Sequence, residues 1–210
     1  SITAGHAAEH HEEHPTVTGI NNVKMLMWVF LASDCMFFGS LITAYVVYMG
    51  KSLSGPLPHE VLDIPYTSVS AFVLLLSSLC MVLALAAIQR GDNRGFRVWL
   101  GTTVVCGLIF LGGQFYEFSH FFAIGLNPST NLFGSSFFVT TGFHGLHVTI
   151  GVIWLISLII ANMRGQITQA NSLNVEVAGL YWHFVDIVWI VVFAVLYLIP
   201  VGTAGVPITH

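Results

Sequence analysis

The chain has 210 residues, of which 55% are hydrophobic and only 8% charged, with a formal charge of -4 at pH 7. An ordinary soluble domain carries roughly 25% charged residues, so this composition cannot coat a globule with polar groups and belongs in a bilayer. Six Lys and Arg against ten Asp and Glu leave no basic patch large enough for a nucleic acid, and that class of function is excluded.

The first stretch, SITAGHAAEHHEEHP, is polar and acidic, and it lacks the basic segment and apolar core of a secretory signal. His6, His10, His11 and His14 alternate with Glu9, Glu12 and Glu13 in a pattern able to bind a transition metal loosely. Short polar tracts at a terminus are ordinarily solvated, and residues 1–24 are read as such a tail. Residues 25–200 are expected to form an all-α transmembrane domain, and residues 201–210 a short outer tail. A spanning helix needs about 20 mostly apolar residues, and such runs occupy approximately 25–49, 67–89, 97–124, 135–163 and 176–199. The chain is thus expected to be a polytopic bundle of five helices.

The breaks carry suitable punctuation. Gly50 to Pro65 is rich in Pro and Gly, Gln89 to Gly95 is charged, Gly125 to Gly134 includes Asn127 and Pro128, and Arg164 to Asn174 is polar. Lys24, Arg90, Arg94, Arg97 and Arg164 share one side, while Lys51 lies on the other. Cationic loops remain cytoplasmic, so the N-terminus is expected inside and the C-terminus outside. Cys35, Cys80 and Cys106 lie within apolar runs without a CxxC spacing, and they read as packing residues. No internal repeat of the kind used by inverted-repeat transporters is visible.

Within these spans lie three pairs of polar residues three positions apart: Glu117 with His120, His144 with His147, and His183 with Asp186. Each pair occupies one helix face, and ionisable groups within a membrane helix turn inward to a partner, a cavity or a substrate path. Gln114 extends the stripe of the third span, and Gly107, Gly112 and Gly113 would admit a neighbouring backbone. Thr140 and Gly151 lie along the line of His144 and His147. A rise of about 1.5 Å per residue puts Glu117 and His144 at similar depths from the outer end, and Asp34, His183 and Asp186 nearer the midplane. Two clusters are expected: Glu117 with His144 and His147, and Asp34 with His183 and Asp186. A His144→Leu change should then orphan Glu117.

Two chemistries fit the layer. GluxxHis beside HisxxHis resembles the ligand spacing of di-metal carboxylate bundles, although only Glu117 supplies a carboxylate. Alternatively the groups pair with one another, fixing helix registry and offering sites for lipid or a proton. Tyr116, Tyr181, Trp182, Trp189 and Tyr197 carry a polar tip on a large ring, which suits helix ends and headgroups. Of these, Tyr181 and Trp182 join Arg97 as candidates for lipid contact. No facing pair of histidines is evident as an axial haem site.

The strings WVFLASDCMFFGSLITAY, GGQFYEFSHFF, SSFFVTTGFHGLHVTIG and YWHFVDIVWIVVF resemble subunit III of the haem-copper respiratory oxidases, in the right order and over roughly residues 22–200. The resemblance implies an accessory subunit of a proton-translocating terminal oxidase that reduces oxygen to water with electrons from cytochrome c or quinol. Such a subunit holds no metal or redox centre itself. Haem and copper reside in its partners, catalytic subunit I above all, with subunit II expected alongside. The family member helps keep the catalytic subunit stable and supplied with protons, and it binds phospholipid in a cleft between helices.

By position, Asp34 matches the family's buried Glu, while Glu117, His120, His144, His147, His183 and Asp186 fall on its polar motif positions, as candidates for buried, proton-exchanging groups. Two departures stand out. Many members have seven helices, with the lipid cleft between the first two and the last five, whereas five are read here. Asp34 is also one methylene shorter than Glu. The implied location is a bacterial cytoplasmic membrane or an equivalent energy-transducing membrane. Competing readings are a stand-alone di-metal membrane enzyme using Glu117, His120, His144 and His147, a proton-coupled carrier, and the related accessory subunit of nitric oxide reductase.

Overall fold

The computed structural model describes residues 21–48, 64–123 and 132–198. The His-rich tail, Lys51, Asn127, Pro128 and the 201–210 tail lie outside the described residues. Five α-helices follow in chain order: α1 (Asn22–Tyr48), α2 (Ile64–Gln89), α3 (Asn93–Ala123), α4 (Leu132–Met163) and α5 (Leu173–Phe193). All five are long and apolar enough to cross a membrane, because in hydrocarbon the backbone's polar groups must be satisfied within each segment. The chain is a multi-pass helical membrane protein. Starts fall three or four residues earlier than the apolar runs suggest, since polar first turns such as Asn93 to Arg97 are already helical.

Helices α2, α3, α4 and α5 pack as a ring in which each touches the next and α5 returns to α2, while α1 lies outside the ring against α4 and α5. The connections at one end are tight. α2 ends at Gly91 with φ 79°; its N–H reaches Ile88 O at 3.0 Å and Asp92 N–H reaches Ala87 O at 3.0 Å. α4 ends in the same way at Gly165 with φ 72°, with Gly165 N–H on Asn162 O and Gln166 N–H on Ala161 O. This paired bonding satisfies the last carbonyls of a helix and needs a left-handed residue, which glycine adopts without a Cβ clash. Asp92 then caps α3, its Oδ1 accepting from Arg94 N and Gly95 N.

The two turns are bonded together. Asn162 Nδ2 donates to Asn93 Oδ1 and to Ile167 O, each at 2.9 Å, and Gln169 Nε2 donates to Gln89 O at 2.7 Å. Lys24 Nζ meets Glu176 Oε1 at 2.6 Å, joining α1 to α5 at this same end. Arg90, Arg94, Arg97 and Arg164 are exposed there, so it is the basic end of the bundle.

Between helices in lipid there is no hydrophobic driving force, and small residues that allow close approach take its place. Trp182 of α5 is the clearest instance. Its ring is fully buried between two glycines: a methyl group added at Gly107 of α3 would lie 2.8 Å from it, and one at Gly151 of α4 would lie 2.9 Å from it. Trp182 Nε1 donates to Ser77 Oγ of α2 at 2.9 Å, so one side chain engages all three other helices of the ring. Gly113 faces Tyr66 and Ser70 in a similar way, whereas Gly112 has no neighbour within 4 Å.

The end of α5 widens into a π-helical turn, Ala194–Leu198. Such a turn rotates the residues beyond it relative to the helix. Here it accompanies two contacts made from this segment, Tyr45 Oη of α1 donating to Leu196 O at 3.3 Å and the Tyr197 hydroxyl meeting Glu117.

Candidate functional site

Asp34, Gln114, Glu117, His144 and Asp186 are buried polar groups of the spans, and their pairing differs from the two clusters expected. Glu117 of α3 is buried and receives one hydroxyl on each oxygen. Thr67 Oγ1 of α2 donates to Oε1 at 3.0 Å, and Tyr197 Oη of the π turn donates to Oε2 at 3.1 Å. The carboxyl thus binds α2 and α5 to α3 through hydroxyls, and the imidazole of His144 is not among its hydrogen-bond partners.

His144 is fully buried and lies among rings. It stacks on Trp189 with centroids 4.7 Å apart and meets the edges of Phe110 at 5.7 Å and Phe38 at 6.5 Å. Neither of its ring nitrogens has a hydrogen-bond partner among the described residues. Packing therefore holds this imidazole.

His147, one turn along α4, faces α1. Its Nδ1 bonds to Phe143 O at 2.7 Å; a carbonyl only accepts, so Nδ1 carries a proton. Its Nε2 lies 3.4 Å from Asp34 Oδ1, and that contact then needs one further proton, on either partner. Tyr181 Oη donates to the backbone oxygen of the same His147 at 3.0 Å. Asp34 is therefore drawn to α4, away from His183 and Asp186. The spacing rule could not reveal this, because it fixes which residues share a face and not which helix that face meets.

His183 of α5 turns to α2, with Nδ1 2.6 Å from Ser78 Oγ. Asp186, three residues on, is 3% exposed, and neither of its oxygens has a partner with hydrogen-bond geometry among the described residues. Gln114 continues the α3 stripe, donating from Nε2 to Thr141 O of α4 at 2.6 Å.

The expectations for His120, Tyr181 and Trp182 require correction. His120 is exposed on α3, since the helix turns that edge of the face away from its neighbours. Trp182 and Tyr181 are 0% and 4% exposed; both are enclosed by protein near Gly151, so neither ring is available to lipid. Arg97 is exposed at the basic end, its Nε donating to Asn93 O. The hydroxyl partners Thr67, Ser77, Ser78 and Tyr197 were missed by sequence reasoning. The one usable signal was the glycine pair Gly107 and Gly151, which marks where a large ring can sit.

This geometry does not assemble the ligand set of a di-metal enzyme. Glu117 is held by hydroxyls, His120 faces outward and His144 lies in an aromatic cage; no group of three His, Cys, Asp or Glu among the described residues is placed to hold a metal ion. What the layer does is link helices pairwise, α3 to α2 and α5, α4 to α1, and α5 to α2.

Comparison with known proteins matches residues 4–201 to the model of the family described as cytochrome c oxidase subunit III. The chain belongs to that family. Cytochrome c oxidase subunit III proteins are accessory subunits of haem-copper oxidases. One relative is the cytochrome bo(3) ubiquinol oxidase subunit 3 of Pseudomonas aeruginosa, 36% identical over 94% of each chain. The cytochrome c oxidase subunit 3 of Alkalihalophilus pseudofirmus is 37% identical over 91% of this chain and 93% of its own. That of Synechocystis sp. is 40% identical over 95% of this chain and 82% of its own. The resemblance read from the four motif strings is thus established over nearly the whole subunit III sequence. Relatives named for cytochrome c and for quinol match this chain at similar identity.

Proposed function

We propose that this subunit III serves as a scaffold in a proton-translocating terminal oxidase, docking beside the haem- and copper-bearing catalytic subunit I, with subunit II in the same complex, and helping to keep the catalytic subunit stable and supplied with protons. The observation that carries the reading is the way the ionisable layer is used. Glu117, His147 and His183 reach across helix interfaces to partners in this chain, while the outer faces of the helices are apolar, with Phe72, Leu79, Phe115 and Met36 strongly exposed. Polar groups that fix registry inside and apolar surfaces outside suit a subunit whose work is to hold a neighbour's position.

The distribution of Lys24, Arg90, Arg94, Arg97 and Arg164 supports placing the basic end, and with it the N-terminus, at the cytoplasmic face of a bacterial membrane. Phospholipid binding is proposed along the groove between α1 and α5. This groove has a volume of about 350 Å³ and is walled by Trp28, Leu31, Cys35, Phe184 and Ile187, with His183 at its edge. The Lys24–Glu176 pair lies one helical turn toward the basic end from Trp28 and Leu180, where a cationic side chain meets a phosphate at headgroup depth.

Extraction in mild detergent tests the scaffold reading. Subunit III is expected to copurify with haem-bearing subunits, and the optical spectrum of the intact complex identifies those haems. Recovery of an isolated, haem-free and fully stable chain would contradict it.

A further inference from the structure

A small cavity lies between α2, α3 and α5. Among its walls are Tyr66 and Ser70 of α2, Gly113, Gln114 and Glu117 of α3, and Trp189 of α5. The room it leaves for the centre of a water molecule is about 10 Å³, which is the threshold for holding one water and too little for anything larger. Space of this size remains dry when its walls are apolar and takes up water when two to four polar partners converge on it.

Most of the wall area is apolar, Phe110 included, but polar side chains stand in it, and two of these residues carry a buried atom with no partner among the described residues. Among the described residues Trp189 Nε1 meets no acceptor and Gln114 Oε1 no donor, in residues that are 2% and 9% exposed. An indole N–H is a donor only, and a carboxamide oxygen an acceptor only. Water is the smallest ligand that complements both, because it donates and accepts at once.

We propose that this cavity is the binding site of a single structural water, which accepts a hydrogen bond from the Trp189 indole and donates to Gln114 Oε1 and the Glu117 carboxyl. Glu117 is held by the hydroxyls of Thr67 and Tyr197, and both belong to side chains anchored in helices. The water adds a partner that can turn in place and exchange a proton without any helix moving.

The intact oxidase complex is the material for the test. A cryo-electron microscopy map fine enough to show ordered water is expected to hold one density within hydrogen-bonding reach of Trp189 Nε1, Gln114 Oε1 and the Glu117 carboxyl; absence of density there overturns the proposal. An ultraviolet resonance Raman difference between the native complex and Trp189→Phe isolates the Trp189 indole and is expected to show a hydrogen-bonded N–H. In Gly113→Ala the added methyl stands 3.1 Å from Tyr66 Oη and 3.2 Å from Ser70 Oγ and takes the water's room, so the band should shift to that of a free indole. A band that is identical with and without that methyl overturns the proposal. Should Trp189→Phe fail to assemble, the native map decides alone.

Discussion

Helices α1 and α5 are neighbours of similar apolar character, yet the bundle treats them differently. α5 buries eleven residues over 21 positions, whereas α1 buries four, Leu31, Asp34, Phe38 and Tyr45, over 27. α5 is fixed by shape, with Trp182 in a slot between two glycines. α1 is fixed at separate points, by Asp34 on His147, Tyr45 on the Leu196 carbonyl and Lys24 on Glu176. Since lipid is as apolar as a leucine side chain, mean hydropathy does not decide which helix is central. Close packing and polar pairing do.

The contrast can be broken by substitution. The largest effect is expected for Trp182→Ala, which empties the centre of the ring and removes the bond to Ser77. Losses of about 3 to 5 kcal/mol accompany such truncations, and thermal unfolding of the complex in detergent should show it. Gly107→Val comes next, at about 1 to 3 kcal/mol of overpacking, because the added group meets both Trp182 and Val152 and Trp182 cannot retreat from Gly151. Native stability in that variant would mean that the slot is looser than these distances imply.

Asp34→Ala should cost less, roughly 1 kcal/mol, as is typical of a single interhelical polar contact in a membrane. Its signature is local: faster hydrogen exchange in α1, with α2 to α5 unchanged. Exchange rising equally throughout would erase the distinction between the two regions. His144→Phe retains the stack on Trp189 and removes two nitrogens without partners among the described residues, so stability should change by less than about 1 kcal/mol in either direction. A larger loss would restore the pairing with Glu117 expected from sequence depth. Smallest is Lys24→Gln, at roughly 0.5 kcal/mol for a surface pair, measurable as weaker retention of anionic phospholipid by the purified complex.

The five helices were legible because bilayer thickness sets the length of an apolar run, and the breaks at Gln89 to Gly95 and Arg164 to Asn174 because they are charged or polar. The burial of Asp34 and Glu117 was legible too, since carboxyls stand out against hydrocarbon, although His120 of the same set is exposed. The wiring of the layer was not. Threes and fours along a helix give a face, but the rotation of that face toward one neighbour or another is decided by packing around Trp182. Hydroxyl partners such as Thr67 and Tyr197 are common in apolar spans and carry no mark of their own. Trp182 itself looked like a residue for a wet boundary, and only the glycines on two other helices could have placed it in the interior.

Cys35, read from sequence as inert packing, is exposed on the wall of the α1/α5 groove, while Cys80 and Cys106 are buried. The native chain therefore carries a selective attachment point among its described thiols. A bilayer-permeant maleimide placed there would sense, without any engineered residue, whether that furrow is filled or vacated as the oxidase turns over.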